Sequence, residues 1–137
     1  MSTNSDRNYP VLRLAEMYLI RAEAKIRSTT KKDLQGAARD IMTIRSRATK
    51  SGHEKEMEVT EKDMTVDFIL DERGRELAGE FQRWFDLKRL GKLVDHIKLY
   101  NPDAAGNIKD FHKVRPIPQT QFDGMPDWTT LGQNDGY

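Results

Sequence analysis

Acidic and basic side chains alternate along residues 71–89, and their spacing could support chemistry. Glu72, Glu76 and Glu80 follow one another at intervals of four, which places their carboxylates on one face of an α-helix. Such a row of carboxylates could bind a divalent metal ion or act as a general acid and base. It could also form ion pairs with the interspersed arginines.

The residue types around this row favour ion pairs over a metal site. Di-metal sites in helical bundles use Glu-x-x-His motifs, and no histidine lies within residues 61–90. His53, His96 and His112 lack the spacing of zinc ligands, and the chain has no cysteine. We therefore predict no metal, no cofactor and a structural ion-pair network of Glu72, Arg73, Glu76, Glu80 and Arg83. Candidate partners from other elements are Arg13, Arg21, Arg45 or Arg47.

Motifs that would identify an enzyme or a nucleic-acid-binding protein do not occur. The sequence has no Gly-rich phosphate loop, no G-x-S-x-G turn and no H-E-x-x-H helix. Its 23 basic and 22 acidic residues give a net charge of +1, without the positive excess typical of nucleic-acid binding. The longest nearly apolar run, residues 17–20, is too short to span a membrane. We predict a protein that is not an enzyme and binds no nucleic acid.

Three aromatic residues, Phe81, Trp84 and Phe85, lie close to the glutamates. Separations of three and four residues are those of one helix face, so we expect these rings in the core and not on a ligand. Trp128 differs, because it lies among prolines and glycines, where loops can present aromatic side chains. A core position is still the expectation for Trp128.

The elements that position these residues follow from the periodicity of the apolar residues. Apolar residues at helical spacing predict a first helix over 10–28, which Pro10 opens. A second helix is predicted over 33–50, with Thr30 or Asp33 as its N-cap. The short connection predicts an antiparallel helical hairpin, with tetratricopeptide-like dimensions.

A long third helix is predicted over 61–90. Thr60-Glu-Lys-Asp63 resembles a capping box at its start, and Gly91 suits its C-terminal end. At 1.5 Å per residue, this helix would be roughly 42–45 Å long. Gly74 and Gly79 each weaken it by about 1 kcal/mol relative to alanine, so the sequence is compatible with a kink.

The last quarter of the chain, residues 101–137, differs in composition. Prolines and glycines recur throughout it and exclude long helices, so we predict an irregular tail after a short fourth helix over 92–99. The predicted fold class is mainly α, with a helical hairpin, a long third helix and a Pro/Gly-rich C-terminal tail. We expect residues 1–137 to form a single domain.

Several segments, in order along the chain, resemble the C-terminal part of the SusD/RagB family. Residues 9–24 are similar to its P-x-x-R-L-A-E-x-Y-L-x-x-A-E-A helix, and residues 37–48 to the next helix, which ends in I-R-x-R-A. Residues 69–89 resemble its E-R-x-x-E-L-x-x-E-x-x-R-W-x-D-L-x-R segment. Residues 114–118 resemble its closing P-I-P signature, and residues 133–137 resemble its Q-N-P-G-Y signature, in which Asp135 replaces the usual proline.

The resemblance implies a role at the cell surface. Family members are outer-membrane lipoproteins that bind oligosaccharides or other nutrients and cap a TonB-dependent transporter. The chain would be the non-catalytic scaffold portion of such a protein, and the matched segments assign no glycan-binding residues. Residues 1–7 are polar and no apolar region follows them, so we expect the signal and the lipid anchor upstream of this sequence.

Two other functions fit the same residues. The helical hairpin could be a stand-alone protein-interaction adaptor that binds a peptide on its concave surface. Glu72, Glu76 and Glu80 could form the site of a metal-dependent enzyme. An upstream lipobox cysteine would favour the lipoprotein, and metal analysis of the purified protein tests the enzyme.

Overall fold

The computed structural model describes residues 11–137, except for the side chains of Trp128 and Thr129. Every regular element within these residues is helical, so the predicted mainly α fold class is confirmed. Where the sequence predicts one domain, the chain divides into two compact units, and the first unit ends at Arg83. None of the described helices combines the length and the apolar composition needed to cross a membrane.

The first unit contains an antiparallel pair of helices, α1 (Leu14–Arg27) and α2 (Leu34–Ala48). Near the end of α1, Lys25 Nζ donates to the carbonyl of Gly36 near the start of α2, at 3.1 Å. Ala22 and Ala37 are fully buried, and their small side chains allow the two helices to approach closely. The predicted helical hairpin is therefore present, and its tetratricopeptide-like character stays a prediction.

Residues at the start of each helix determine where it begins. Pro10, the predicted opening residue, lies outside the described residues, and α1 begins only after Arg13, which is extended (φ −138°, ψ 159°). In α2 the N-cap is Asp33 and not Thr30, because Asp33 Oδ1 accepts a hydrogen bond from the Gly36 N–H at 2.7 Å. A Cβ at Gly36 would lie 2.0 Å from the Asp33 carboxylate, so this cap requires glycine there.

The single long helix predicted over 61–90 is wrong. A 3₁₀ helix (Glu61–Asp63) comes first, then α3 (Val66–Glu76), and α4 (Arg83–Arg89) follows after an interruption. The capping box predicted at the start of the long helix caps only the 3₁₀ helix. A separate N-cap, Thr65, starts α3.

The interruption between α3 and α4 has a backbone cause. Gly79 (φ 80°) and Phe81 (φ 59°) both adopt left-handed conformations, which end an α-helix and do not merely kink it. A Cβ on Gly79 would meet no atom within 4 Å, so the backbone angle alone favours glycine at this position. α3 and α4 are therefore separate helices, where the sequence predicted one.

The core of the first unit lies among α1, α2 and α3. Leu19, Ile41 and Ile69, one from each helix, are fully buried. Around them pack Ala22, Ile26, Ala37, Ala38, Ile44, Val59, Met64 and Leu77. Burying one large aliphatic side chain contributes about 1.5–3 kcal/mol relative to leaving it exposed. This cluster holds α3 against the helical hairpin.

The second unit runs from Trp84 to Tyr137 and contains α5 (Leu93–Tyr100), which corresponds to the predicted fourth helix. Between α4 and α5, Gly91 adopts φ 70° as its predicted end position requires. The Gly91 N–H donates to the Lys88 carbonyl at 3.0 Å, and the Lys92 N–H donates to the Leu87 carbonyl at 2.8 Å. These are the two bonds of a Schellman motif.

Short helices make up the rest of the second unit. They are α6 (Pro102–Ala105), a 3₁₀ helix (Asp110–Lys113), α7 (Gln119–Asp123) and α8 (Trp128–Leu131). None exceeds 5 residues, as the prolines and glycines predict. Among the described side chains of this unit, the buried apolar residues are Leu87, Leu93, Val94 and Phe122.

Candidate functional site

Glu72 on α3 is a buried carboxylate that two arginines hold. Arg45 of α2 places its Nε 3.2 Å from Glu72 Oε2, and its Nη2 pairs with Oε1. Arg75, on the same helix as Glu72, pairs with Oε1 as well. Burial disfavours the charged form of Glu72, but the hydrogen bonds from Arg45 and Arg75 outweigh it and lower the pKa of the carboxyl. Glu72 is therefore ionised at neutral pH.

Other contacts fix the guanidinium of Arg45 in place. Its Nη1 donates to the carbonyl of Met57 at 3.2 Å. Its Cζ lies 5.2 Å from the centroid of the Phe68 ring, within the range of a cation–π contact. Arg45 thus connects α2, the 3₁₀ helix that follows it (Glu54–Met57) and α3.

Glu76 and Glu80 share one guanidinium, which comes from the residue before α1. Arg13 Nη1 lies 2.7 Å from Glu76 Oε1, and Arg13 Nε donates to Glu80 Oε1 at 2.8 Å. Arg47 of α2 places its Nη2 2.9 Å from the same oxygen of Glu76. The hydrogen bonds to Glu80 and then to Glu76 raise the pKa of Arg13 above its usual value. These pairs connect the start of α1 and the end of α2 to α3.

Arg73 and Arg83 complete the set of predicted residues. Arg73 is buried, and its Nη2 lies 3.3 Å from Oε1 of Glu16, a buried residue of α1. Arg83 donates from Nη1 to the carbonyl of Leu70 at 2.6 Å, and its Nη2 lies 3.8 Å from Asp71 Oδ1. Each of the five residues singled out in the sequence therefore takes part in an ion pair. That the network serves a structural role stays a prediction.

Asp40 of α2 is another buried acidic residue, which the sequence alone did not single out. Arg21 Nη2 lies 2.6 Å from Asp40 Oδ1, and Lys25 Nζ lies 2.8 Å from Oδ2. Burial opposes ionisation of Asp40, but the hydrogen bonds from Arg21 and Lys25 hold its pKa below the usual value. The sequence contains a signal, because Asp40 lies on the apolar face of α2, three residues after Ala37 and four before Ile44. Arg21 thus belongs to this pair and not to the α3 network.

The aromatic residues near the network are not core residues. Phe81 is 79% exposed and Phe85 is 61% exposed, so the predicted burial of both is wrong. The interruption removes Phe81 from any helix, so the helical spacing that predicted a common buried face does not apply. Trp84 is half-buried in the second unit, where Arg115 Cζ lies 5.5 Å from its ring centroid. The side chain of Trp128 lies outside the described part of the structure.

Ion pairing determines what the carboxylates of α3 can do chemically. Each of the three predicted glutamates accepts hydrogen bonds from at least one arginine. In the part of the chain that the structure describes, no group of three histidine, aspartate or glutamate residues is placed to hold a metal ion. The geometry is that of a network that joins helices.

Comparison with known proteins relates this arrangement to a family. The sequence model of the SusD family matches residues 1–137, which is the whole chain. The chain belongs to the SusD family. The resemblance found in the segments of the sequence is confirmed.

Three curated SusD relatives show the extent of the similarity. SusD-like protein P2 of Formosa agariphila is 37% identical over 141 residues, and SusD-like protein P25 of the same organism is 33% identical over 131 residues. Starch-binding protein SusD of Bacteroides thetaiotaomicron is 31% identical over 142 residues. The alignments cover 97%, 90% and 99% of this chain but only 26%, 23% and 23% of the relatives. The chain thus spans about a quarter of their length, and no solved structure matches it significantly.

Proposed function

We propose that this chain is the non-catalytic scaffold portion of a SusD-type oligosaccharide-binding protein at the cell surface. The observation that carries the proposal is the family match over the whole chain. One relative is named a starch-binding protein, which makes starch oligosaccharides the first ligands to test. The longer protein would supply the lipid anchor and would work with a TonB-dependent outer-membrane transporter.

The ion-pair network supports a scaffold role for this portion. Arg13, just before α1, and Arg45 of α2 reach carboxylate partners that lie on or just after α3. Separating a buried charge from its partner strongly destabilises the folded protein, because the remaining charge stays buried and unpaired. The pairs therefore favour the one arrangement of the three helices in which the partners meet. The carboxylates of Glu72, Glu76 and Glu80 are thus committed to internal contacts and not to a ligand.

The lining of the groove between α1 and α2 is a further reason to propose that the ligand site lies elsewhere in the longer protein. It encloses about 420 Å³, and its lining residues are Arg13, Leu14, Ala15, Tyr18, Thr43, Ile44 and Arg47. Sites for small ligands combine aromatic and apolar walls with a few converging polar groups. Among the described residues of this lining, Tyr18 is the one aromatic residue, and Arg13 and Arg47 already bind Glu76. Within residues 11–137, no second aromatic ring faces Tyr18 in the lining to hold a sugar.

Calorimetry with starch oligosaccharides tests the proposal directly. The titrations compare residues 1–137 with the full-length parent protein under the same conditions. We expect binding by the parent and no measurable binding by residues 1–137, that is, a Kd above about 1 mM. Comparably tight binding by both proteins would place the ligand site in this portion and contradict the scaffold role.

A stand-alone helical adaptor is the second candidate function, and an exposed apolar surface favours it. Val11, Leu12 and Leu14 are exposed around the start of α1, and Ile20 is exposed at its middle. A photo-crosslinking residue in place of Leu14, introduced into the protein as its native cells express it, distinguishes the two functions. Crosslinks within the same polypeptide support the scaffold, whereas crosslinks to a separate peptide support the adaptor.

A further inference from the structure

Residues 133–137 contact the backbone of one distant stretch of the second unit, residues 114–117. The side chain of Gln133 forms a two-bond pair with Ile117. Gln133 Oε1 accepts from the Ile117 N–H at 2.7 Å, and Gln133 Nε2 donates to the Ile117 carbonyl at 3.0 Å. This is the pair of bonds that a neighbouring antiparallel strand would make with the same residue.

Two further side chains extend this contact along the same backbone. Asn134 Nδ2 donates to the carbonyl of Arg115 at 2.7 Å. The hydroxyl of Tyr137 donates to the carbonyl of Val114 at 2.8 Å. Gln133, Asn134 and Tyr137 therefore bind the backbone at three of the four residues from 114 to 117.

The sequence of the stretch makes it dependent on these side chains. Pro116 and Pro118 have no N–H, so the stretch cannot form a continuous ladder with a partner strand. The Cδ atoms of their rings also clash with a helical conformation at the residues before them, which favours extended conformations there. Side-chain amides and a hydroxyl thus supply the partners that another strand would otherwise supply.

An aromatic contact secures the far end of residues 133–137. The rings of Phe111 and Tyr137 meet edge to face, with centroids 5.1 Å apart and an interplanar angle of 86°. Gly136 has φ 93°, and a Cβ there would lie 2.4 Å from Phe111 Cγ. Glycine before Tyr137 is therefore required for this ring contact.

We propose that residues 133–137 act as a strap that holds residues 114–117 extended and thereby keeps Arg115 against the ring of Trp84. Asn134 binds the carbonyl of Arg115, and the guanidinium of Arg115 lies over the indole. The strap thus connects the last residues of the sequence to α4 through one backbone stretch and one cation–π contact. This inference is independent of the proposed function.

Amide hydrogen exchange at Ile117 tests the strap, with the wild-type protein and Gln133→Glu compared by NMR. The substitution preserves the shape of the side chain but replaces the Nε2 donor with a carboxylate oxygen that repels the Ile117 carbonyl. We expect about tenfold faster exchange of the Ile117 amide, which corresponds to about 1.4 kcal/mol. Asp135→Asn, within the same five residues, is the matched control and should leave the rate unchanged.

Acid should rescue the Gln133→Glu variant. A protonated carboxyl can again accept from the Ile117 N–H and donate to the Ile117 carbonyl, as the amide does. Protection of Ile117, relative to the wild-type protein at the same pH, should therefore return as the pH falls through about 4.3. Loss of protection that persists at low pH would contradict the two-bond pair.

Tyr137→Phe provides a milder second variant that removes only one hydroxyl. It should shift the indole N–H resonance of Trp84, assigned with Trp84→Phe, because Val114 and Arg115 are neighbours on the held stretch. If the Ile117 amide of the wild-type protein exchanges as fast as an unprotected amide, the proposed strap is wrong. It would also be excluded by a Trp84 resonance that neither Tyr137→Phe nor Gln133→Glu shifts.

Discussion

At Glu72, two guanidinium groups meet one carboxylate that is almost completely removed from solvent. The two arginines differ in exposure, since the Arg45 side chain is 16% exposed and the Arg75 side chain is 59% exposed. A charge removed from water costs several kcal/mol unless its partners remain in place. The more buried arginine, Arg45, should therefore contribute more to the free energy of unfolding than Arg75.

Arg45→Met is expected to lower the free energy of unfolding by roughly 3 kcal/mol, because Glu72 keeps only an exposed partner. Arg75→Met is the matched control at the same carboxylate and should cost about 1 kcal/mol or less. Urea denaturation of both variants measures the difference. Equal losses for the two variants would show that burial does not determine the strength of these pairs.

The carboxyls of Glu72 and Asp40 also predict how stability depends on pH. Both have pKa values lowered by arginine or lysine partners, from ordinary values of 4.5 and 3.8. Their contribution is complete above these ordinary values and is lost as the pH falls through the lower pKa values of the folded state. We expect the free energy of unfolding to fall with acid in this range and to fall less steeply in Glu72→Gln. Identical slopes for the two proteins would contradict the lowered pKa of Glu72.

Among the elements, the interruption between α3 and α4 departs most from the sequence prediction. It rests on two left-handed residues, Gly79 and Phe81, and the second carries a Cβ. A non-glycine residue in this conformation costs about 1–2 kcal/mol. The local geometry is therefore held against an intrinsic preference of the backbone.

Gly79→Ala should destabilise the protein by about 1 kcal/mol, through the backbone angle alone. No atom lies within 4 Å of the position that a Cβ would occupy at Gly79, so a steric clash does not contribute. Gly106→Ala is the control, since Gly106 also has open space but a φ of −73° that alanine adopts readily. We expect no loss for Gly106→Ala in thermal unfolding. A melting temperature equally lowered in both variants would contradict a backbone cause.

For the whole molecule, the apolar core of the first unit should make the largest contribution to its stability. Ile41 is fully buried there, whereas Leu99 of the second unit is 70% exposed. Ile41→Ala should cost about 2–5 kcal/mol, and Leu99→Ala should stay within about 0.5 kcal/mol. Amide hydrogen exchange measures both effects, because Ile41→Ala should reduce protection throughout α1, α2 and α3. Unchanged protection in α1 and α3 would show that they do not share a core with α2.

Local signals in the sequence determined the helical hairpin and several helix ends. Asp33 caps α2 through a bond to a residue three positions away, and Gly91 ends α4 through its own backbone angle. Such features depend on neighbouring residues, so residue type narrows the candidates, although it left Thr30 and Asp33 as alternatives for the N-cap of α2. The order of the family segments is likewise a property of the sequence alone.

Only the tertiary structure decided where the long helix ends and which charges meet. Gly79 lowers the stability of a continuous helix by about 1 kcal/mol relative to alanine. This amount is compatible with an interruption, but it does not determine whether the helix is interrupted. Arg13 and Glu76 lie 63 positions apart, and their pairing requires α1 and α3 to pack first. Burial of Asp40 is likewise decided by packing within the first unit, because a helix face is buried only where another element covers it.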